Sequence, residues 1–319
     1  QLEEGHDSVY LAGRSRLGMP VTVEAGLRWD KHSLTRESRL SPRLNLAWAV
    51  GARSVVRGAL GRFNQSQRPY ELQVEDGETE FNPIERSDST VLGFEHLFAG
   101  PRGLAVRVEL YQREVLNPLP RWENLYEPIN FFPEVEPDRV RIAPDRAPAE
   151  GIEVFLRGRF GRKLGWWLNY TWSRAEDEIA GERFPRSFDQ THAVNLDLDY
   201  RINSHWTLNL AWRYHTGWPT TPLSLGEEID EDGETVFVPV PGRRYSARLP
   251  DYHRLDLRAT RAWNLRAGTL VFFIDVQNAY NQDNIAGFDF SIDQDTGTLT
   301  PNAEKWAGIL PSVGFSFEF

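Results

Sequence analysis

The chain has no cysteine, one methionine and no run of about 18 consecutive apolar residues, the length a membrane-crossing helix needs. Its longest uncharged apolar run is short, from Leu270 to Ile274. Without cysteine there is no disulfide scaffold and no thiolate-held zinc or iron–sulfur centre. Positive charge is scarce as well. The 36 basic residues stand against 46 acidic ones, leaving a net charge of -10 that suits nucleic-acid phosphates poorly. H-E-x-x-H, G-x-S-x-G and P-loop motifs are all missing. The sequence therefore predicts no enzyme, no cofactor and no metal centre. The chain opens on Gln1 with no initiator methionine and no signal-peptide pattern, which leads us to expect a processed protein or a fragment.

What is present is aromatic and alternating. There are 11 tryptophans in 319 residues, and aromatics make up 12% of the chain, too many for a disordered one. The mean hydropathy is -0.50. Val194, Leu196, Leu198, Tyr200 and Ile202 alternate with Asn195, Asp197, Asp199 and Arg201. After the turn Asn203-Ser204, Trp206, Leu208, Leu210, Trp212 and Tyr214 repeat the pattern. A period of two puts each set on its own face of a sheet. The same reading predicts strands at about 7–14, 20–31, 39–50, 53–64, 87–98, 103–115, 149–160, 164–175, 190–202, 205–217, 251–262, 268–281 and 308–319. Helical periodicity is weak throughout.

Connection lengths alternate too. Gly51-Ala52, Ala99 to Arg102, Gly161 to Lys163, Asn203-Ser204 and Asn264 to Ala267 are tight, whereas the intervening connections are long. A meander with short and long loops in alternation predicts an all-β, antiparallel transmembrane β-barrel. Trp48, Phe98, Phe160, Trp166, Trp263 and Phe319 lie near short-turn ends; Trp29, Trp172, Tyr214 and Tyr280 lie near long-loop ends. Two aromatic rings at those levels fit the two membrane interfaces. Arg28, Arg43, Arg57, Glu109, Glu153, Arg157, Asp197, Asp199, Arg258 and Asp275 fall on the opposite, polar face, where mixed signs predict cross-strand pairs lining an interior.

Four segments, taken in order, resemble the barrel of the TonB-dependent outer-membrane receptors. They are Gly26 to Asp30 with Leu40 to Val50, then Arg186 to Ile202, then Arg248 to Trp263 with Leu270 to Asn284, and finally Ile309 to Phe319. In the last, Val313, Phe315, Phe317 and Phe319 form one face, which resembles the C-terminal signal read by the bacterial barrel-assembly machinery. The resemblance implies a receptor of the Gram-negative outer membrane, in contact with lipid, that imports a scarce nutrient ligand with energy from the TonB complex. It also implies a 22-stranded barrel with a plug domain and a TonB box. Neither is recognisable here, so residues 1–319 are expected to be the C-terminal part of the barrel, about 13 strands, without the plug. The alternatives are a self-contained passive porin or barrel enzyme, and a secreted β protein that binds glycans.

Recognition is expected in the long loops. One runs from Leu116 to Pro148 and offers Trp122 and Tyr126 for stacking and Arg139 and Arg141 for an anionic ligand; Phe131 and Phe132 lie in the same loop. The other runs from Trp218 to Pro250 and offers Arg243, Arg244 and Tyr245. Asp76-Gly77, Asp232-Gly233 and Thr296-Gly297 are expected to turn small hairpins. Glu228, Asp230, Asp232 and Gly233 begin like a calcium loop, but Pro239 stands where its closing glutamate belongs, so a solvated loop is expected. His192 and His253 are expected to make hydrogen bonds at strand starts.

Overall fold

The computed structural model describes residues 5–18, 20–100, 103–124, 139–230 and 232–319. Thirteen strands follow one another in a single antiparallel meander. They are β1 (His6–Arg16), β2 (Val21–His32), β3 (Ser38–Ala49), β4 (Ser54–Gln65), β5 (Glu85–Leu97), β6 (Ala105–Leu116), β7 (Arg146–Phe160), β8 (Leu164–Ile179), β9 (His192–Arg201), β10 (Trp206–His215), β11 (Tyr252–Leu265), β12 (Gly268–Gln277) and β13 (Leu310–Glu318). The short strand Glu182–Pro185 folds back on the end of β8. Each expected strand is present at its expected place. The residues at 17–20, 50–53, 98–104, 161–163, 202–205 and 266–267 form the tight connections, and those at 33–37, 66–84, 117–145, 180–191, 216–251 and 278–309 link strands at the other end.

Register follows the alternation. Leu196 pairs with Leu168 and Trp212, Leu210 with Leu198 and Leu257, and Ile274 with Ala259 and Val313. A slip of one residue would send every one of these side chains to the other face. Leu27, Leu44, Leu60, Leu92, Leu110, Leu208, Leu257, Ile274, Val313 and Phe315 all share the apolar face and are all exposed. Arg261 is a charged residue on this face near the short-turn end, and its guanidinium lies over the rings of Trp206 and Trp263 at 5.4 and 4.7 Å. Such a cation can lie along an apolar surface with its charged head at the edge.

The polar face carries the expected pairs. Arg14 meets Glu24 at 2.6 Å, Arg57 meets Glu95 at 3.1 Å and Arg258 meets Asp275 at 3.6 Å, each across two strands. Arg43 instead lies over the Phe63 ring at 4.5 Å. Large side chains also cover glycines across the ladder. A Cβ on Gly151 would meet the Tyr111 ring at 2.5 Å, and one on Gly314 the Phe273 ring at 2.3 Å. Both are direct cross-strand partners, so the missing side chain is what lets the ring lie flat on the sheet.

The buried hydrophobic residues do not lie between two layers. Apart from Ala105 at the short-turn end, they are Ile84, Val115, Ile142, Ala147, Tyr245 and Leu249, all near the long-loop end under the connections. Among the described residues β1 pairs only with β2 and β13 only with β12, so both outer strands keep one free edge.

Candidate functional site

The long connections carry their own structure. Arg121–Asn124 pairs with Arg139–Ile142, Leu223–Ile229 with Thr235–Pro241, and Ile285–Asp293 with Thr298–Lys305. Asp232-Gly233 and Thr296-Gly297 turn the last two hairpins as expected. Asp76-Gly77 does not turn a hairpin. Pro69–Glu71 and Val74–Asp76 form single 3-10 turns, and Gly77, at φ 86°, accommodates the left-handed end of the second. The local turn residues were read correctly there, but flanking strands are lacking. In the suspected calcium loop the Asp230 carboxylate accepts the backbone N–H groups of Asp232 and Glu234 at 3.0 and 2.8 Å. It thereby acts as the turn's own acceptor.

A buried ionic node ties three connections together. The Asp177 carboxylate, 0% exposed, accepts from Arg121 Nη2 at 2.5 Å and Arg186 Nε at 3.0 Å. Glu123 accepts from Arg121, from Arg244 Nη2 at 2.9 Å and from the Tyr245 hydroxyl at 2.8 Å. Three guanidiniums thus face two carboxylates. Burial pushes the Glu123 carboxyl up, but Arg121 and Arg244 outweigh it and hold the group below the usual glutamate range. Burial and the neighbouring Glu123 charge push the Tyr245 hydroxyl well above its ordinary value. Tyr245 itself is 3% exposed and has a left-handed backbone, φ 50°, which a bulky residue adopts only when its surroundings hold it there. Beside the node, Arg248 pairs with Asp189 and donates to the Gly217 carbonyl at 2.9 Å.

Arg139 meets Asp76 at 2.9 Å and lies over Trp122 at 5.9 Å; Arg141 meets Glu78 at 3.3 Å. Arg244 and Tyr245 belong to the node. Arg243 is turned outward, 3.7 Å from Glu182 and over the Phe184 ring. The structure therefore brings Trp122 and Arg139 together within one hairpin, and joins the adjacent Arg244 and Tyr245 to Glu123 of that hairpin. Tyr126, Phe131 and Phe132 lie outside the described residues. His192 and His253 do sit at strand starts, where their backbone N–H groups donate to Thr216 at 3.2 Å and Asn284 at 3.0 Å.

A second feature escaped sequence reasoning. Five rings gather where β10 and β11 meet the loops. His215 stacks on Tyr252 at 4.7 Å and on Trp218 at 5.2 Å, and Trp218 meets Trp306 at 6.3 Å and Phe188 at 6.5 Å. His215 and Tyr252 are direct partners on the polar face. The available signal was Gly217-Trp218-Pro219, a large ring set between two turn residues at a strand end. Among the described residues no group of three or more histidines, aspartates and glutamates is arranged to hold a metal.

A single antiparallel meander, one face predominantly apolar and open, the other ionic, with the long connections at one end, is the wall of a β-barrel of membrane type. The model of the family described as "TonB dependent receptor-like, beta-barrel" matches residues 3–279. The chain belongs to that family, a family of Gram-negative outer-membrane proteins. No curated protein matches it in sequence. Among solved structures it is similar to the ferric enterobactin receptor PfeA of Pseudomonas aeruginosa, with 17% identity and a TM-score of 0.65 over 97% of this chain and 44% of that one. It is similar also to the FrpB iron transporter of Neisseria meningitidis, with 16% identity and a TM-score of 0.64 over 98% of this chain and 45% of that one. FpvA of P. aeruginosa, solved bound to pyoverdines, matches with 13% identity and a TM-score of 0.61 over 97% of this chain and 38% of that one. The chain spans less than half the length of each.

Proposed function

We propose that the chain is the C-terminal part of the barrel of an outer-membrane receptor that binds a scarce nutrient at its long-loop end and imports it with TonB-derived energy. The family match over residues 3–279 carries this reading. The exposed apolar face supports a lipid contact, since a patch that wide is not left open to water. Strand parity supports the fragment. With 13 strands in one meander the first and last run in the same direction, so neither they nor two copies side by side in one membrane can close an antiparallel barrel. An odd number of further strands completes it.

Within this reading the ligand meets the ring cluster around Trp218 and the outward cations Arg141 and Arg243, while the Glu123–Asp177 node holds the loops that frame them. PfeA is a ferric enterobactin receptor, FrpB an iron transporter, and FpvA is solved with an iron-loaded pyoverdine, which makes ferric chelates the first ligands to try. The test is binding of a panel of ferric chelates to the full-length receptor, followed by uptake in cells with and without TonB. Uptake that persists without TonB refutes the energised mechanism. Trp218→Ala is expected to weaken binding of the cognate ligand by about tenfold, the effect of truncating a central aromatic anchor.

A further inference from the structure

The hairpin of Leu223–Ile229 and Thr235–Pro241 stands in the connection between β10 and β11, and its two edges differ. Gln294, at the turn of the neighbouring hairpin, clasps the Phe237 backbone from outside. Its Oε1 accepts the Phe237 N–H at 2.8 Å and its Nε2 donates to the Phe237 carbonyl at 2.8 Å. In an antiparallel pair, hydrogen-bonded and non-hydrogen-bonded positions alternate. Phe237 stands opposite Glu227, so that pair is non-hydrogen-bonded, and so are Leu225 with Pro239 and Leu223 with Pro241. Proline fits both positions, because it has no N–H to give. Gln294, Pro239 and Pro241 shut this edge along most of its length.

The other edge is open. By the same alternation Leu223, Leu225, Glu227 and Ile229 aim their N–H and C=O groups away from the hairpin, and no group among the described residues takes them. They form a row of unpaired donors and acceptors about 20 Å long. Glu227 is exposed, and Ile229 on the same face is 77% exposed. Such an edge is a template for a further strand unless something blunts it. Here the blunting is by charge of one sign. From Pro219 to Gly242 the chain has six acidic residues and no basic one. A second copy laid along this edge would set carboxylates against carboxylates, which destabilises a ladder. A basic strand meets no such obstacle.

We propose that this edge receives an extended, lysine- or arginine-bearing segment of another protein as a third strand. The guest's backbone bonds to Leu223, Leu225, Glu227 and Ile229, and its basic side chains meet Glu227, Glu228 and Asp230. Main-chain bonds hold the guest, and the charge selects it. The hairpin is fixed before the guest arrives. Gln294 holds its far edge, and Gly297 lies against the Phe237 ring, where a Cβ would come within 2.6 Å. A platform already ordered loses less on binding. The inference rests on the reading of the long-connection end as the outward side of the barrel.

The experiment measures binding of a synthetic peptide of alternating threonine and lysine to the full-length receptor in detergent, beside its fully N-methylated form and a form with glutamate for lysine. The parent peptide is expected to bind and to slow amide exchange over 223–229 while 235–241 stays unchanged. The other two are expected to bind at least about tenfold more weakly, through lost hydrogen bonds and through repulsion. Leu225→Pro removes one outward donor and leaves the hairpin's own bonds in place, as Pro239 opposite does; it is expected to weaken binding by about tenfold. Glu227→Gln/Glu228→Gln, at exposed positions, weakens it in the same direction and covers the case in which the proline variant misfolds. Equal binding of the N-methylated peptide assigns the contact to charge alone and overturns the inference. Slow exchange over 223–229 in the free receptor means that its own chain covers the edge, and overturns it too. Asp232→Cys, labelled in intact cells with a membrane-impermeant maleimide, tests the orientation separately. A cysteine that cannot be labelled overturns the outward reading and this inference with it, whereas a labelled one with no peptide binding overturns this inference alone.

Discussion

Glu123 shows how much of the loop architecture hangs on one side chain. It accepts from its neighbour Arg121 and, across the loops, from Arg244 and the Tyr245 hydroxyl. Removing one partner of a buried ion pair costs about 3–5 kcal/mol, because the other charges stay buried and unpaired. Glu123→Gln is therefore expected to release the Arg244–Tyr245 turn, seen as faster amide hydrogen exchange at 243–248 with the strands unchanged. Unchanged exchange would rule out the node as the loop anchor. The pH dependence has a definite sign. The folded Glu123 carboxyl titrates below its ordinary value of 4.5, so its stabilisation is complete above that value and is lost as pH falls through the lower, folded value. Exchange at 243–248 is expected to stay slow from neutrality to ordinary carboxylate pH and to rise only in stronger acid. A rise near neutrality would contradict the assignment. Neither Asp177 nor Glu123 was legible as a site, since acidic residues near turns usually face water and their burial depends on arginines up to 121 positions away.

At the scale of the strand the sequence was transparent. Residues 206–215 alternate strictly, and the observed ladder places Leu208, Leu210 and Trp212 on one face and Asn209 and Arg213 on the other. Leu210→Arg puts a cation on the apolar wall and is expected to cost about 2–4 kcal/mol if that wall meets hydrocarbon at mid-depth. Asn209→Arg points to the polar face, where Asp199 already bonds Asn209 at 2.9 Å, and is expected to be tolerated. Heat-modifiable migration of the two full-length variants from outer membranes separates these outcomes. Equal behaviour would mean that the faces are not differently solvated. The element misjudged was Asp76-Gly77. Its turn chemistry is genuine, but the residues beside it lack partner strands, and turn residues alone do not say what they connect.

Among the described residues the main sheet keeps two open edges. Unpaired strand edges are sticky in water and intolerable in lipid. The isolated 319-residue chain refolded in detergent is expected to associate through β1 and β13 and to give no compact, heat-modifiable monomer, whereas the full-length receptor gives one. A closed monomer from the chain alone would remove the fragment reading. Strand number, register, the two faces and the short-turn end were all determined by the sequence itself, because a period of two and tight turn residues act between near neighbours. The loop node and the ring cluster around Trp218 were decided only by the tertiary structure. Each joins side chains whose meeting depends on how long connections fold back over the sheet, or on which rows of neighbouring strands align. No local rule connects Glu123 to Tyr245, or His215 to Trp306 through Trp218, until the ladder and the loops have set the distance between them.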